Sequence, residues 1–191
     1  MSNNKGATAL MSLEKKISEE QWMLPFVEKT RVSAEKMGFV CKIYPTSKSG
    51  ASSKDASEAL GVDATYIIKT LYLKDQSDNK LAVILSGNDR LNTSLLKEVW
   101  LQKFPSIALK KLNFVDTEDL ERDLGYKAGG VPCIAFALKN IPTFVDTAVY
   151  NLDLVIGSGG TAFHAMEFNP KQLIYVTNYF LSNVSASIYG R

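Results

Sequence analysis

The clearest pattern along the chain is a pair of apolar segments joined by a short polar one. Residues 66–74 and 80–86 are rich in valine, isoleucine, leucine and tyrosine, whereas Asp75–Asn79 is polar. Residues of these types favour β-strands, and a short polar connection between two such runs is typical of an antiparallel hairpin. The sequence therefore predicts a hairpin whose first strand carries Lys69 among apolar neighbours.

A lysine in such a strand has two explanations. Its ammonium group either reaches a strand edge, where water solvates it, or is held in place to meet an anion. The strand pattern alone leaves both open, because it shows only that an unpaired ammonium group is costly to bury.

Helices are predicted where a capping residue precedes a segment with helical spacing of apolar side chains. Ser18–Gln21 has the form of a capping box, so a helix is expected to begin there and to run towards Met37. Asn92 is expected to cap a helix that runs to about Gln102, with an apolar face of Leu95, Leu96, Val99 and Trp100. Further helices are predicted before Gly61, over Thr117–Leu124 with an end at Gly125, and after Asn169-Pro170.

Further strands are predicted where apolar residues alternate with polar ones or form short runs between turn residues. They are expected over Phe39–Tyr44, Ile134–Ala137, Thr143–Val145, Leu152–Ile156 and Phe163–Phe168. Short strands interleaved with short helices, some of the strands being linked as hairpins, predict a mixed α/β fold. We expect a mixed β-sheet or partly closed barrel surrounded by helices, rather than a doubly wound parallel sheet.

Length and composition are those of one globular domain. The chain has 191 residues, of which 46% are hydrophobic and 22% charged, so it can bury a core without disulfides or metals. We expect a flexible tail over residues 1–12 and a single domain over residues 13–191. The net charge of +2 is too small to predict non-specific binding to nucleic acid.

The expected compartment follows from features that the sequence lacks. No apolar run has the length of a membrane span, and Met1–Thr8 lacks the apolar block of a secretory signal. Cys41 and Cys133 are the only two cysteines, and they are far apart. We therefore expect a protein of a reducing, cytoplasmic compartment.

Two glycine-rich segments are candidates for ligand contact: the first glycine turn, residues 125–132, and the second glycine turn, residues 157–162. The second superficially resembles a dinucleotide-binding fingerprint, but a strand pattern follows it where that fingerprint needs a helix. It can present backbone N–H groups to a phosphate or carbonyl oxygen, or it can be a tight hairpin. The first is either a site of close backbone approach or an ordinary connection.

His164, the only histidine, follows the second glycine turn. Cys133 and His164 could form a nucleophile pair, but the apolar neighbours of Cys133 favour an inert thiol with a raised pKa. One histidine and two distant cysteines predict no zinc site, and no cofactor is expected. Asp146 is expected to cap the turn that follows it.

The order of these segments resembles that of a known family. Tyr44 at a strand end is followed by Ile68-Lys69-Thr70-Leu71, the first glycine turn, Pro142–Asp146 and Ser158-Gly159-Gly160. This combination resembles the YbaK/ProX family, the editing domain associated with prolyl-tRNA synthetase, over about Phe26–Leu181. The resemblance implies an aminoacyl-tRNA deacylase that hydrolyses the ester of tRNA(Pro) mischarged with a small wrong amino acid, alanine or cysteine. Its implied partners are the acceptor end of tRNA(Pro) and prolyl-tRNA synthetase, in cis or in trans.

The resemblance also implies roles for individual residues. Lys69 matches the family's essential lysine and would anchor the 3′ end of the tRNA through its phosphate or terminal adenosine. Tyr44 would lie beside the aminoacyl group. The other residues expected to bind the substrate are Thr46, Gly129, Gly130, Pro132, Ser158, Gly159, Gly160 and His164.

Two differences from the family concern amino-acid specificity. Cysteine-specific members have a small, glycine-containing turn where this chain has Cys133–Phe136, and an acidic residue near the position of Ala165. These differences leave the preference between cysteine and alanine open. The sequence also leaves open a non-catalytic module that binds tRNA or the synthetase without hydrolysing the ester.

Overall fold

Helix α1, over residues 23–37, is the first element of a computed structural model that describes residues 23–187. The predicted tail over residues 1–12 and the capping box at Ser18–Gln21 lie outside the described residues. The predicted helix does continue to residue 37. Pro25 lies in the first described turn of α1 and does not divide the helix.

The remaining elements alternate between short strands and short helices. The strands are β1 (Lys42–Pro45), β2 (Ile68–Asp75), β3 (Lys80–Ser86), β4 (Asp89–Leu91), β5 (Leu112–Phe114), β6 (Thr143–Asp146), β7 (Val155–Ser158), β8 (His164–Phe168), β9 (Phe180–Ser182) and β10 (Ser185–Ser187). The helices are α2 (Ser53–Leu60), α3 (Thr93–Lys103), α4 (Thr117–Leu124), α5 (Thr147–Tyr150) and α6 (Gln172–Tyr175), and Cys133–Lys139 forms a 3-10 helix.

A five-stranded mixed sheet in the order β5-β2-β3-β6-β9 forms the centre of the fold. β2 and β3 are the predicted antiparallel hairpin. β6 pairs parallel with β3, and β9 pairs parallel with β6. On the other side, β5 pairs only with Leu73–Asp75 of β2. The first half of β2, which contains Lys69, is therefore not covered by β5.

A second, three-stranded sheet lies beside the first in the order β1-β8-β7. A parallel bridge between Ile67 and Ile156 joins β7 to the residue before β2, and the Ile156 N–H group donates to the Tyr66 carbonyl at 2.8 Å. β4 and β10 form a third, two-stranded sheet. The predicted mixed α/β fold is confirmed, and within residues 23–187 the sheets form no closed barrel.

The two faces of the β2–β3 hairpin cover separate hydrophobic clusters, because side chains alternate along a strand. One cluster contains Ile68 and Tyr72, and the Tyr72 ring meets Phe136 of the 3-10 helix with ring centroids 5.3 Å apart. The other cluster contains Leu73 and packs against α3. Alternation places Lys69 on the same face as Leu73.

Capping residues begin α3 and end α2 and α4 where the sequence predicts. The Asn92 side-chain oxygen accepts hydrogen bonds from the N–H groups of Ser94 and Leu95 at the start of α3. Gly61 and Gly125 adopt left-handed backbone conformations after α2 and α4, with φ of 66° and 69°. Among the helices of residues 23–187, none combines the length and apolar character needed to cross a lipid bilayer.

Three predicted strands differ from the structure. The strand predicted over Phe39–Tyr44 is β1 and begins later, at Lys42. The strand predicted over Ile134–Ala137 is instead part of the 3-10 helix that begins after Pro132. The first four residues of this helix are all buried, so no alternation of buried and exposed residues distinguishes it from a strand. The strand predicted over Leu152–Ile156 is β7 and begins later, at Val155. Leu152 is still part of the turn that leaves α5, because its N–H group donates to the Val149 carbonyl at 3.2 Å.

The helix predicted after Asn169-Pro170 is α6. α6 is a single turn, and the chain continues into β9 and β10, which the sequence analysis did not predict. β9 pairs with β6 and β10 pairs with β4, so both strands depend on partners far away in the sequence. The local pattern of apolar and polar residues does not predict pairings between such distant segments.

Candidate active site

A cavity of about 220 Å³ lies beside the point where β7 meets the start of β2. Its inner wall is apolar and includes the buried side chains of Ile68, Tyr72, Cys133 and Phe136. Its more exposed wall is formed by small and polar residues, which are Thr46, Ser52, Ser53, Gly129, Ser158 and His164. The cavity can therefore enclose a small apolar group and present polar groups to whatever carries it.

Backbone contacts hold together three loops around the exposed wall. The Gly50 N–H group donates to the Ala162 carbonyl at 2.7 Å, and the Thr46 N–H group donates to the Phe163 carbonyl at 2.8 Å. A Cβ atom at Gly129 would lie 3.4 Å from the Cβ atom of Ala51. The loop before α2 and the two glycine turns thus meet at one place.

Gly130 is the point of closest approach between the two glycine turns. A Cβ atom there would lie 2.8 Å from the Thr161 Cα atom and 2.9 Å from the Gly160 carbonyl oxygen. Both neighbours are backbone atoms and cannot turn aside. Only glycine lets the two turns touch at this position.

Most of the glycine amides are already used within the protein. The Gly130 N–H group donates to the Lys127 carbonyl at 2.9 Å, and the Gly159 N–H group donates to the His164 carbonyl at 2.7 Å. The Gly160 N–H group donates to the Ser158 hydroxyl at 3.4 Å. These three amides shape the turns, whereas Gly129 and Ser158 line the cavity.

Helix α1 supports both glycine turns from behind. A Cβ atom at Gly160 would lie 2.6 Å from the Phe26 carbonyl oxygen and from the Thr30 hydroxyl oxygen. The same Thr30 hydroxyl lies 3.3 Å from the hydroxyl of buried Tyr126 in the first glycine turn. The Lys29 ammonium lies 4.2 Å from the centroid of the Tyr126 ring and donates to the Gly125 carbonyl at 2.9 Å.

Lys69 lies at the edge of the cavity beside α2. It lines this cavity and also a second one on the other face of β2. Its ammonium group donates to the Gly87 carbonyl at 3.1 Å, and a Cβ atom at Gly87 would lie 3.0 Å from the Cβ atom of Ser53. Burial lowers the pKa of the Lys69 ammonium group below its usual value, while the nearby Asp89 carboxylate opposes this change.

The other predicted substrate-binding residues divide into two groups. Thr46 and His164 line the cavity, and a hydrogen bond of 2.9 Å joins the His164 Nδ1 atom to the Thr161 hydroxyl. Tyr44 and Pro132 are not among the residues that line it. The Tyr44 hydroxyl instead lies 3.5 Å from the Glu167 carboxylate.

Some residues of the cavity wall were missed by the sequence analysis. Thr70 lines the cavity from β2, and Ser52 and Ser53 line it from the start of α2. Strand alternation was the available signal for Thr70, because residues two apart share a face and Thr70 lies between Ile68 and Tyr72. No signal pointed to the start of α2, since its place in the cavity depends on the meeting of distant loops.

Cys133 and Asp146 have structural roles, in the cavity wall and at a helix cap. Cys133 is buried in the inner wall, and this burial raises the pKa of its thiol well above the usual value. Asp146 caps α5 as predicted, through the Ala148 N–H group at 2.9 Å, and its second oxygen accepts from Val184 at 2.9 Å. Within residues 23–187, no three His, Cys, Asp or Glu side chains form a group that could hold a metal ion.

Comparisons with known proteins agree with this description. Residues 47–175 match the sequence profile of the aminoacyl-tRNA editing domain. An Enterococcus faecalis protein, named as a candidate Cys-tRNA(Pro)/Cys-tRNA(Cys) deacylase, is 24% identical over 165 residues. That alignment covers 86% of this chain and 93% of the relative.

Two solved structures have the same fold. The crystal structure of hypothetical protein APE2540 is 27% identical, with a TM-score of 0.69, and the match covers 80% of this chain and 96% of that one. The crystal structure of a candidate trans-editing enzyme for prolyl-tRNA synthetase is 20% identical, with a TM-score of 0.70, and the match covers 85% and 98% of the two chains. At that identity the second match shows the fold alone.

Proposed function

This chain belongs to the family of aminoacyl-tRNA editing domains, and from that membership we propose that it hydrolyses tRNA(Pro) mischarged with alanine or cysteine. The predicted family and the predicted class of enzyme, an aminoacyl-tRNA deacylase, agree with the profile match and with the name of the Enterococcus faecalis relative. The choice of tRNA(Pro), of the amino acid and of the residues that act is our proposal. Prolyl-tRNA synthetase, in cis or in trans, is the proposed second partner.

The observation that carries the proposal is the cavity beside Lys69. Its volume of about 220 Å³ suits a small side chain together with its ester group, and its inner wall is apolar. Because the volume alone would also admit the ring of proline, the proposed preference for alanine or cysteine depends on the shape of the apolar wall. The polar residues of the exposed wall then face the ester and the ribose.

In the proposed complex Lys69 holds the 3′ end of the tRNA. Its ammonium group is partly buried, and a charge-assisted hydrogen bond to a phosphate is stronger there than in bulk water. The Gly87 carbonyl fixes the direction of the side chain. Lys69 therefore acts as an anchor that orients the ester, and it does not need to act as a nucleophile.

The chemistry of the proposed reaction requires only positioning and polarisation, because an aminoacyl ester is already activated. Gly129 and Ser158 line the cavity. The Ser158 hydroxyl already donates to the Thr161 carbonyl at 3.3 Å, so the Gly129 amide is the group proposed to polarise the ester carbonyl. A water oxygen forms a bond to the carbonyl carbon, and the bond from that carbon to the ribose oxygen breaks. A ribose hydroxyl of the terminal adenosine relays the water proton to the leaving ribose oxygen.

A panel of charged tRNAs tests the proposal. Ala-, Cys-, Ser- and Pro-tRNA(Pro) are incubated with the protein, and the remaining ester is measured over time. We expect rapid loss of the Ala or Cys ester and a Pro ester that is as stable as it is without protein. Equal stability of all four esters would contradict the proposed activity.

The same panel separates an enzyme from a binding module. A non-catalytic module would leave the esters intact, or would protect them from spontaneous hydrolysis, while still binding the tRNA. Binding is measured separately by filter retention of each charged tRNA. Hydrolysis with turnover by a small amount of protein supports the deacylase.

Replacing Cys133 by alanine tests the competing idea of a cysteine nucleophile. We expect deacylation to fall by less than about threefold, since the buried thiol with its raised pKa supplies no thiolate and only the wall of the cavity changes. Removal of a true nucleophile would lower the rate by about 1,000-fold or more. A loss of that size in a folded Cys133→Ala protein would overturn the proposed mechanism.

A further inference from the structure

A second cavity, of about 390 Å³, lies on the opposite face of β2 from the first. The first cavity is lined by Ile68, Thr70 and Tyr72, whereas the second is lined by the residues that alternate with them. We call the second cavity the β2–β5 groove. Its walls include Lys69, Leu71, Leu73, Arg90, Leu112 and Phe114.

The groove combines an apolar floor with an exposed aromatic ring. β5 pairs with the end of β2 so that Phe114 stands directly opposite Leu73, on the same face of the sheet. The Phe114 side chain is 66% exposed, although it lies next to the leucines of the groove. An exposed aromatic ring of this kind offers a flat face for stacking.

The groove also carries positive charge. Arg90 is exposed on β4, and the Lys69 ammonium group lies close enough to it for the arginine charge to lower the pKa of the lysine. The carboxylate of buried Asp89 is also close enough to Lys69 to raise the pKa of the lysine. A flat apolar surface beside two cations has the chemistry that binds single-stranded nucleic acid, by base stacking and phosphate contacts.

We infer that the β2–β5 groove holds the unpaired nucleotides that precede the terminal adenosine of the substrate tRNA. The inference rests on the proposed function and extends it, since it names the path by which the rest of the tRNA reaches the active site. Phe114 stacks against a base, and Arg90 contacts a backbone phosphate.

The shared residue Lys69 carries this inference. An ester bound in the first cavity is attached to the last nucleotide, so the preceding nucleotides must leave from the edge of that cavity. The groove begins at Lys69, which lies at that edge. The first half of β2 is not covered by β5, so the chain of nucleotides can pass from one face of β2 to the other at Lys69.

The test compares two substrates that differ only in those nucleotides. Ala-tRNA(Pro) contains them, and 3′-O-alanyladenosine does not. In Phe114→Ala we expect the ratio of kcat/KM for the tRNA to kcat/KM for alanyladenosine to fall about tenfold, the effect of losing one stacked base. Phe114→Trp should restore the ratio. Tyr175→Ala, which removes another exposed aromatic ring outside both cavities, should leave it unchanged.

Salt dependence tests the phosphate contact separately. In Arg90→Gln we expect the slope of log(kcat/KM) for Ala-tRNA(Pro) against log[salt] to become shallower by about one unit, because one phosphate contact is lost. Lys139→Gln removes an exposed cation outside both cavities and serves as the matched control. The control should leave the slope within the error of the wild type.

The outcomes separate the inference from the proposed function. If the wild type hydrolyses both substrates and Phe114→Ala leaves their ratio unchanged, the inference is wrong and the proposed function stands. Equal losses on both substrates would also overturn it, because the groove would then only support the first cavity. If Phe114→Ala instead changes self-association in sedimentation, the groove is a protein interface and the inference fails. If the wild-type protein hydrolyses neither substrate, the proposed function is wrong, and so is the inference.

Discussion

Replacing Lys69 by alanine is expected to lower kcat/KM for hydrolysis of mischarged tRNA(Pro) by roughly 100-fold or more, because a partly buried cation that holds a phosphate is lost. The ammonium group makes one hydrogen bond to the protein, to the Gly87 carbonyl. The fold should therefore survive, with a melting temperature within about 4 °C of the wild type. Initial rates over a range of tRNA concentrations, together with circular dichroism, measure the two effects.

A matched control for this variant lies on the same strand. Lys74 forms ion pairs with Asp116 and Asp119 and lines neither cavity. Lys74→Ala should keep its deacylation rate, so a general loss of positive charge cannot explain the effect at Lys69. Lys69→Ala with near-normal kcat/KM would remove the anchoring role from the proposal.

Replacing Gly130 by alanine is expected to destabilise the protein by about 2–3 kcal/mol, since the new Cβ atom would overlap two backbone atoms of the second glycine turn. The contacts at 2.8 Å and 2.9 Å can be relieved only if the two turns move apart. The loss of position at Gly129 and Ser158 should then lower kcat/KM about tenfold or more, even at temperatures where the variant is folded. Urea denaturation and deacylation assays measure the two effects.

Gly38→Ala is the control that separates crowding from backbone strain. Gly38 has φ of 69°, but a Cβ atom there would meet no other atom within 4 Å. We expect a cost of about 1 kcal/mol from the left-handed conformation and an unchanged deacylation rate. If Gly130→Ala and Gly38→Ala unfold at the same urea concentration, the close approach of the glycine turns does not limit stability.

Local signals in the sequence predicted much of the fold. The β2–β3 hairpin joins neighbouring segments, and Asn92, Gly61 and Gly125 mark helix ends through contacts within a few residues. Such features depend on nearby atoms, and a sequence displays them directly.

The wrong or missing elements depend on tertiary contacts. The first four residues of the 3-10 helix are all buried, so the spacing of apolar residues there cannot distinguish a strand from a helix. β9 and β10 are only three residues long each and exist because β6 and β4 lie beside them. Their sequence alone contains too few residues for a pattern.

The candidate site was predicted in part. The family resemblance implies that Lys69 and the two glycine turns lie together, and residues of all three line one cavity. The sequence analysis did not use the strand alternation that places Lys69 and Thr70 on opposite faces of β2. That alternation makes Lys69 the common residue of two cavities, which a list of motifs cannot show.

The support of both glycine turns by α1 bears on where this protein can be shortened. The profile match begins at residue 47, and α1 ends at residue 37, outside that match. Phe26 and Thr30 of α1 nevertheless pack against Gly160. A truncated version that kept only residues 47–175 would leave Gly160 and Tyr126 facing water instead of α1. Anyone who transplants this module onto another enzyme should therefore carry the whole of α1 along with it.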